Sequence, residues 1–416
     1  MITVRKDIQL AFVMAVSAMF TLAGYEFMRS ASTVLFKNAY GAENLPLVMV
    51  AMPLVVFIGV AGYGWLLTRL GPRRTLMVTS YGSALLIFAG YLAVRQGIEM
   101  VTPLLFLLKE FYVVLLIEQY WSYINSSLTE QTAKKVNGPI TGIAGLGSVL
   151  GAYLVSVSAV PLGTETLILL AAVAILPAGI VANAAYLHFG EPVLPEKAQK
   201  GSVISHMGWS VIARNRKLAS LLLIILSAQV IAAVLDFKFQ TMLSADFVGQ
   251  ADAETAFQGD FWFYLNSVAV ASQFLLTPLL LSFVALRFVH LLMPLLQVCV
   301  IGYALWSPSL MSVGLALFTF KVFDYSLFRG AKELIYMPLD FDSRYRAKEI
   351  IDVFGYRTGK GGSALAVVFM QKIGVVMSSY YLLIGLVMSF LWLALVFPLT
   401  RRSQASEKAD LINDGS

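Results

Sequence analysis

Cysteine, histidine and charge are the scarce ingredients of this sequence. Its 416 residues include one cysteine, Cys299, and three histidines, His188, His206 and His290. A disulfide within the chain is excluded, and a Cys/His zinc site lacks ligands. His188 and His206 flank a polar loop and His290 starts an apolar run, which argues against His-centred acid–base chemistry. Charge is equally thin, with 13% Asp, Glu, Lys and Arg against 58% hydrophobic residues. A chain this apolar, with a mean hydropathy of +0.77, does not remain soluble as one globular domain. No nucleophile–base pair or metal cluster is visible, so an enzyme is the least supported class and no cofactor is expected.

Apolar runs long enough to cross a bilayer recur throughout. The expected spans are 8–28, 45–67, 75–95, 102–127, 139–160 and 165–187. They continue at 218–243, 261–283, 288–306, 309–328, 352–374 and 377–399. The first run ends in Glu26 and Arg29 rather than in small residues at a cleavage site, so it reads as a span and not as a secretory signal. The fold class expected is an all-α membrane protein with about twelve transmembrane helices.

Loop charge sets the orientation. Arg5 and Lys6, Arg69, Arg73 and Arg74, Lys134 and Lys135, Lys197 to Lys217, Arg287, Arg344 to Lys348, and Arg401 with Arg402 all fall on one side if both termini are cytoplasmic. The other side is poorer in base and carries Asp246, Asp252, Glu254 and Asp260. The net charge of +6 therefore reads as cytoplasmic loops rather than a nucleic-acid surface. The polar break at 188–217 divides the chain into a first half, 1–187, and a second, 218–400, followed by a tail at 401–416. Glycine-rich openings after a basic loop, Gly138 to Gly151 in one half and Gly355 to Gly362 in the other, form a weak parallel repeat. Two six-helix pseudo-repeats of this kind are the major facilitator arrangement. Gly64 to Arg74 is similar to that superfamily's loop between spans two and three, with Thr68 where an acid is usual.

Charges inside the spans carry the functional reading. A charge at the centre of a spanning helix costs roughly 2.5–3.5 kcal/mol on insertion scales. Glu26 and Arg29 lie three apart on one helix face and can pair, as can Lys321 and Asp324. Lys109, Glu110 and Glu118 sit in the fourth span among Tyr112, Tyr120, Trp121 and Tyr123. Asp236 and Lys238 lie deep in the seventh and, two apart, point to different faces. The densest stretch runs from Lys332 to Ser363 and includes Glu333, Asp340, Asp352, Arg357 and Lys360. The bland alternative is that each pair neutralises itself and pins two helices. The functional one is a polar path for an anion, since Arg forks and Lys points suit phosphate. Gly359 to Ser363 lacks the full phosphate-loop spacing, yet glycines plus Lys360 at a helix start can hold an anion.

The stretch Lys332-Glu333, Tyr336 to Asp340, Arg344, Arg346, Lys348, Ile351-Asp352-Val353, Arg357, Gly359-Lys360 and Gly362-Ser363 resembles the ATP/ADP carriers, the nucleotide transporters of plastids and intracellular bacteria. Weaker likenesses are Glu118 with Trp121 and Ser122, Gly145-Leu146-Gly147, Asp236, and Gly259-Asp260-Phe261. Against the family's LR-x-x-KD pattern, Met28 to Thr33 keeps only the Arg, and Met49 stands in place of a Lys. The resemblance implies a carrier working by alternating access on a nucleotide or related anion, with Glu118, Asp236 and Lys332 as transport residues. Arg29, Lys238, Lys321, Arg357 and Lys360 complete the expected substrate path. Glu26, Asp324, Glu333, Asp340 and Asp352 are expected gate or ion-pair partners. A monomer in a bacterial inner membrane, partnered by lipid and not by nucleic acid, is expected. The rivals are a proton-coupled carrier of an unrelated solute and a non-transporting sensor, scaffold or lipid-handling protein.

Overall fold

The computed structural model describes residues 2–128, 130–191, 212, 215–337, 351 and 355–400. Every described element is helical. In chain order these are α1 (Ile2–Tyr40), α2 (Leu45–Val50), α3 (Met52–Arg95), α4 (Val101–Ser127), α5 (Glu130–Leu162) and α6 (Thr164–Phe189). There follow α7 (Arg216–Asp246), α8 (Ala251–Ala271), α9 (Thr277–Phe283), α10 (Leu286–Trp306), α11 (Leu310–Phe323), α12 (Arg329–Tyr336), α13 (Tyr356–Lys372) and α14 (Tyr381–Thr400). Among the described residues, nine helices are long and apolar enough to cross a membrane. Large apolar side chains such as Phe57, Leu104, Phe283 and Trp306 stand on the outside, as they do where lipid is the solvent. The chain is an integral multi-pass membrane protein.

Several boundaries differ from the sequence expectation. The first helix runs on through Tyr40 instead of stopping near residue 28, because Glu26 and Arg29 are buried in protein and do not mark a water interface. Two expected spans, 45–67 and 75–95, fall mainly within α3, which breaks at Gly71 with φ 76. That φ is tolerated without cost only by glycine, and Pro72 opens the second segment where its missing N–H is harmless. Helix α8 starts at Ala251, ten residues before the expected span, so Asp252 and Glu254 belong to its first turn.

The described residues form two compact units. The first draws on Met1–Gly201, Phe239–Phe274 and Ala364–Ser378, and the second on Ser202–Lys238, Leu275–Ser363 and Ser379–Ser416. In the first unit α1 is central, packed by α4, α5 and α6. Glycines let backbones meet there. A Cβ at Gly147 of α5 would lie 2.0 Å from the Met19 carbonyl oxygen of α1, and one at Gly259 of α8 would lie 2.4 Å from the Ser156 backbone nitrogen of α5. Gly147 and Gly151 thus let the backbones of α5 and α1 pack closely, whereas Gly138 faces open space. In the second unit α10 packs on α11 and α14. Trp392 is fully buried there, edge-on to Phe320 and Phe328.

Candidate functional site

Two polar clusters are built into these units. The first lies along one face of α1, where Glu26, Arg29, Thr33 and Lys37 recur at spacings of three and four. Glu26, 1% exposed, forms an ion pair with Arg29 through Oε2. Its other oxygen, Oε1, accepts a 3.0 Å hydrogen bond from Asn266 Nδ2 of α8. Asn266 also reaches the Ser148 carbonyl of α5 at 3.3 Å, so one side chain ties three helices. The Arg29 guanidinium lies 3.5 Å from the Trp262 ring centroid and 5.3 Å from that of Tyr25. Thr33 Oγ1 donates to the Arg29 carbonyl at 2.6 Å and accepts from Lys109 Nζ of α4 at 3.3 Å. Lys109 also sits 3.1 Å from the Phe106 ring centroid.

Two turns further on, Lys37 pairs with Glu254 of α8 and donates to Gln240 Oε1 at 2.7 Å. The two charged side chains are 0% and 2% exposed. The first turn of α8 is also tied to α6: Asp252 Oδ1 accepts from the Thr164 backbone N–H at 2.6 Å and from its hydroxyl at 2.7 Å. Helix α8 therefore presents Asp252, Thr255, Gly259, Trp262 and Asn266 to its neighbours at helical spacing. Around Arg29, several buried polar atoms have no hydrogen-bond partner, namely Arg29 Nε, Ser30 Oγ, Ser32 Oγ, Tyr112 Oη and Trp262 Nε1. Buried donors left unmade are costly, and a cluster of them marks a place where a ligand or water is wanted.

The second cluster lies in the second unit, around a π-helical turn at Asp324–Phe328. The turn adds one residue to the helical register, which brings Arg329 into phase with Lys321 and Asp324. Asp324 is buried, and the charges of Lys321, Arg329 and Lys332 all act on it. Lys332, itself buried, lies 5.0 Å from the Tyr356 ring centroid. Lys321 and Arg329 flank Tyr325, at 5.6 Å and 5.4 Å from its centroid.

The expected site residues are thus distributed unevenly. Glu26 and Arg29 pair as expected, and Lys321 acts electrostatically on Asp324, together with Arg329 and Lys332, which the spacing did not single out as its partners. Glu118 is exposed on α4, its charge acting on Tyr63 of α3. Asp236 and Lys238 are half-buried on either side of fully buried Phe237. Glu333 is exposed and Lys360 half-buried. Asp340, Asp352 and the Arg357 side chain lie outside the described residues, as do most of the 188–217 loop and the 401–416 tail. Sequence reasoning missed Lys37, Gln240, Glu254, Trp262 and Asn266. Lys37 was discoverable: it stands eight residues from Arg29, in helical phase with it.

Comparison with known proteins matches residues 262–402 to the family model of the TLC ATP/ADP transporter. No curated protein matches the chain. Among solved structures, an auto inhibited POT family peptide transporter superposes with a TM-score of 0.64 at 13% identity, covering 95% of this chain and 97% of that one. The nucleoside transporter NupG superposes with a TM-score of 0.57 at 14% identity, covering 97% of this chain and 100% of that one. At such identities the likeness is one of fold. The C-terminal third is therefore similar in sequence to the ATP/ADP transporters, and the chain as a whole shares the fold of solved major-facilitator-type transporters.

Proposed function

We propose that this protein is a secondary active transporter that moves a nucleotide, by ATP/ADP-type exchange, or a related phosphorylated anion. The observation that carries the reading is the second cluster, where three cations, Lys321, Arg329 and Lys332, act on one buried carboxylate, Asp324. It falls inside the stretch that matches the ATP/ADP transporter model. Arg329 is exposed and Lys321 half-buried, so these cations are within reach of a phosphorylated substrate arriving from water. Arg329 supplies a planar fork, and the lysines supply point charges. Asp324 offsets part of the mutual repulsion of these cations.

Twelve spans in two six-helix halves, cytoplasmic termini, a bacterial inner membrane and a monomeric carrier complete the proposal. The mechanism is alternating access, with Asp236 and Glu118 contributing to charge balance and Lys238 and Lys360 to the anion path. No catalytic step is required of any residue.

The test is uptake of labelled ATP into proteoliposomes loaded with ADP, beside a thermal-shift screen of nucleotides and simple anions. Uptake that needs internal ADP, weakens in Lys332→Gln and disappears in Asp236→Asn is the expected result. Uptake that ignores nucleotides but collapses with the proton gradient removes the nucleotide substrate in favour of another solute. An absence of any solute flux moves the protein to the sensor or scaffold class.

A further inference from the structure

Glu26 and Arg29 form a closed electrostatic unit inside the first compact unit. One Glu26 oxygen neutralises the guanidinium, and the other holds Asn266. The guanidinium stacks on Trp262, and its Nε is buried without an acceptor. Tyr112 Oη is likewise buried without a partner and is close enough for the Glu26 charge to act on it. The carboxylate thus occupies the position that an incoming anion would need.

We propose that Glu26 is a proton-binding site whose protonation is coupled to the binding of a phosphate-bearing anion at Arg29. This rests on the carrier reading and adds its coupling ion. The charge balance is simple. In the present state Glu26⁻ and Arg29⁺ sum to zero. When an anion takes the guanidinium, Glu26, 1% exposed, is left as a second, buried negative group, and burying unpaired charge is prohibitive. A proton taken from the aqueous phase onto Glu26 restores neutrality: the O–H bond forms, and Arg29 keeps its own proton and pairs with the ligand. The protonated acid can donate to the anion, while Tyr112 Oη and Arg29 Nε supply further donors.

Protonation also turns the acceptor of Asn266 from an anion into a neutral oxygen. A charge-assisted bond is roughly twice as strong as a neutral one, so the tie from α8 to α1 and α5 loosens in the same step. Proton and anion binding are thereby linked to the release of a helix.

The surroundings leave few competitors for the proton. On α1, Tyr25 and Arg29 are the neighbours. From α4 come Tyr112 and, one turn away, Lys109 and Glu110. From α8 come Asn266 and Trp262, neither of which titrates, while its Asp260 and Tyr264 are exposed. From α5 comes the Ser148 carbonyl, with Tyr153 exposed, and α6 offers no titratable residue over 168–182. Lys37 and Glu254 neutralise each other about 16 Å from Glu26 along the α1 axis. Among the described residues, Lys109 approaches this face of α1 through Thr33.

The test is calorimetric titration of the purified full-length protein with ATP and, separately, with inorganic pyrophosphate. It is run at two pH values in buffers of different ionisation enthalpy, so that protons taken up per anion bound are read directly. The expected wild-type result is uptake approaching one proton, with affinity falling about tenfold per pH unit on the alkaline side. Glu26→Gln should bind the anion without uptake and without that pH dependence, whereas Glu26→Asp should keep both. If Glu26→Gln does not fold, an infrared difference spectrum of the wild type on ATP binding must show a new protonated-carboxyl band. Binding of ATP with no uptake, or with equal uptake in Glu26→Gln, overturns the coupling and leaves the nucleotide reading intact. Binding of pyrophosphate alone, with Glu26-dependent uptake, supports the coupling and removes the nucleotide. Binding of neither probe overturns both.

Discussion

Replacing Lys37 by Met tests whether the polar face of α1 is held by the pairing described here. The change removes the cation and its bond to Gln240 and leaves the Glu254 carboxylate, 2% exposed, without its main partner. Removing one member of a buried pair costs about 3–5 kcal/mol. One feature places this case near the low end: Glu254 retains the Ser244 hydroxyl at 3.4 Å. The expected loss is therefore about 3 kcal/mol, with a similar loss for Glu254→Leu. The two singles would sum to about 6 kcal/mol if the sites were independent. In the double variant no orphan charge remains, and two apolar side chains fill the space, so it should lie within about 1 kcal/mol of the parent.

Tryptophan fluorescence during unfolding in mixed micelles, followed for all four proteins, gives the cycle. Singles that each cost less than about 1 kcal/mol would mean that the pair is effectively solvated. A double variant as unstable as the sum would mean that the residues act separately. Either result refutes the argument. Transport by the double variant carries the functional half: near-parental stability with lost transport makes the pair a working part of the cycle, whereas full transport makes it a fastener.

Other expectations are independent of that cycle. Gly259→Ala places a methyl 2.4 Å from a backbone nitrogen of α5, which only helix separation relieves. A loss of about 1–3 kcal/mol should appear as a lower unfolding midpoint, while Gly62→Ala, facing open space, stays within about 0.5 kcal/mol. Lys332→Gln should weaken nucleotide binding about tenfold, the loss of one charge-assisted contact, and flatten its salt dependence in a titration. Arg29→Lys keeps the charge but loses the planar stack on Trp262, and should cost about 1 kcal/mol of stability in a melting experiment.

The fold was legible because lipid imposes a coarse rule on sequence: apolar runs of span length can only be helices or barrel strands. Gly71-Pro72 was readable as a break for local reasons, and the structure puts the break there. The α1 boundary was not readable, because a window cannot tell a charge at the membrane edge from a charge buried against another helix. That error hid Lys37 and Thr33, which belong to the same helix face as Arg29. Asn266 and Trp262 were invisible for a different reason. Nothing in α8 marks them until α1 and α5 are brought against it, since an Asn and a Trp in an apolar helix carry no motif. Lys321 and Asp324 announced themselves by spacing, but the role of Arg329 depends on the π-helical turn, which no periodicity in the sequence displays.

The distribution of buried charge argues for use rather than for stability. Replacing a buried ion pair by well-packed apolar residues is often neutral or stabilising by about 1–4 kcal/mol. A chain selected only to stand in a bilayer would therefore shed Glu26, Arg29, Lys37, Lys109 and Glu254. Their presence has a physical rationale that packing lacks: a charge pair can be exchanged for another arrangement of equal neutrality, and an apolar contact cannot. The two pairs on α1 differ on this point. Lys37 and Glu254 are supported by Gln240 and Ser244, as a closed structure requires. Arg29 keeps a free Nε, with Tyr112 Oη and Trp262 Nε1 orphaned around it, so its present partner does not exhaust what the site can bind. On the proposed reading, that asymmetry separates a fastener from a binding group within a single helix, with Glu26 and Arg29 as the exchangeable pair.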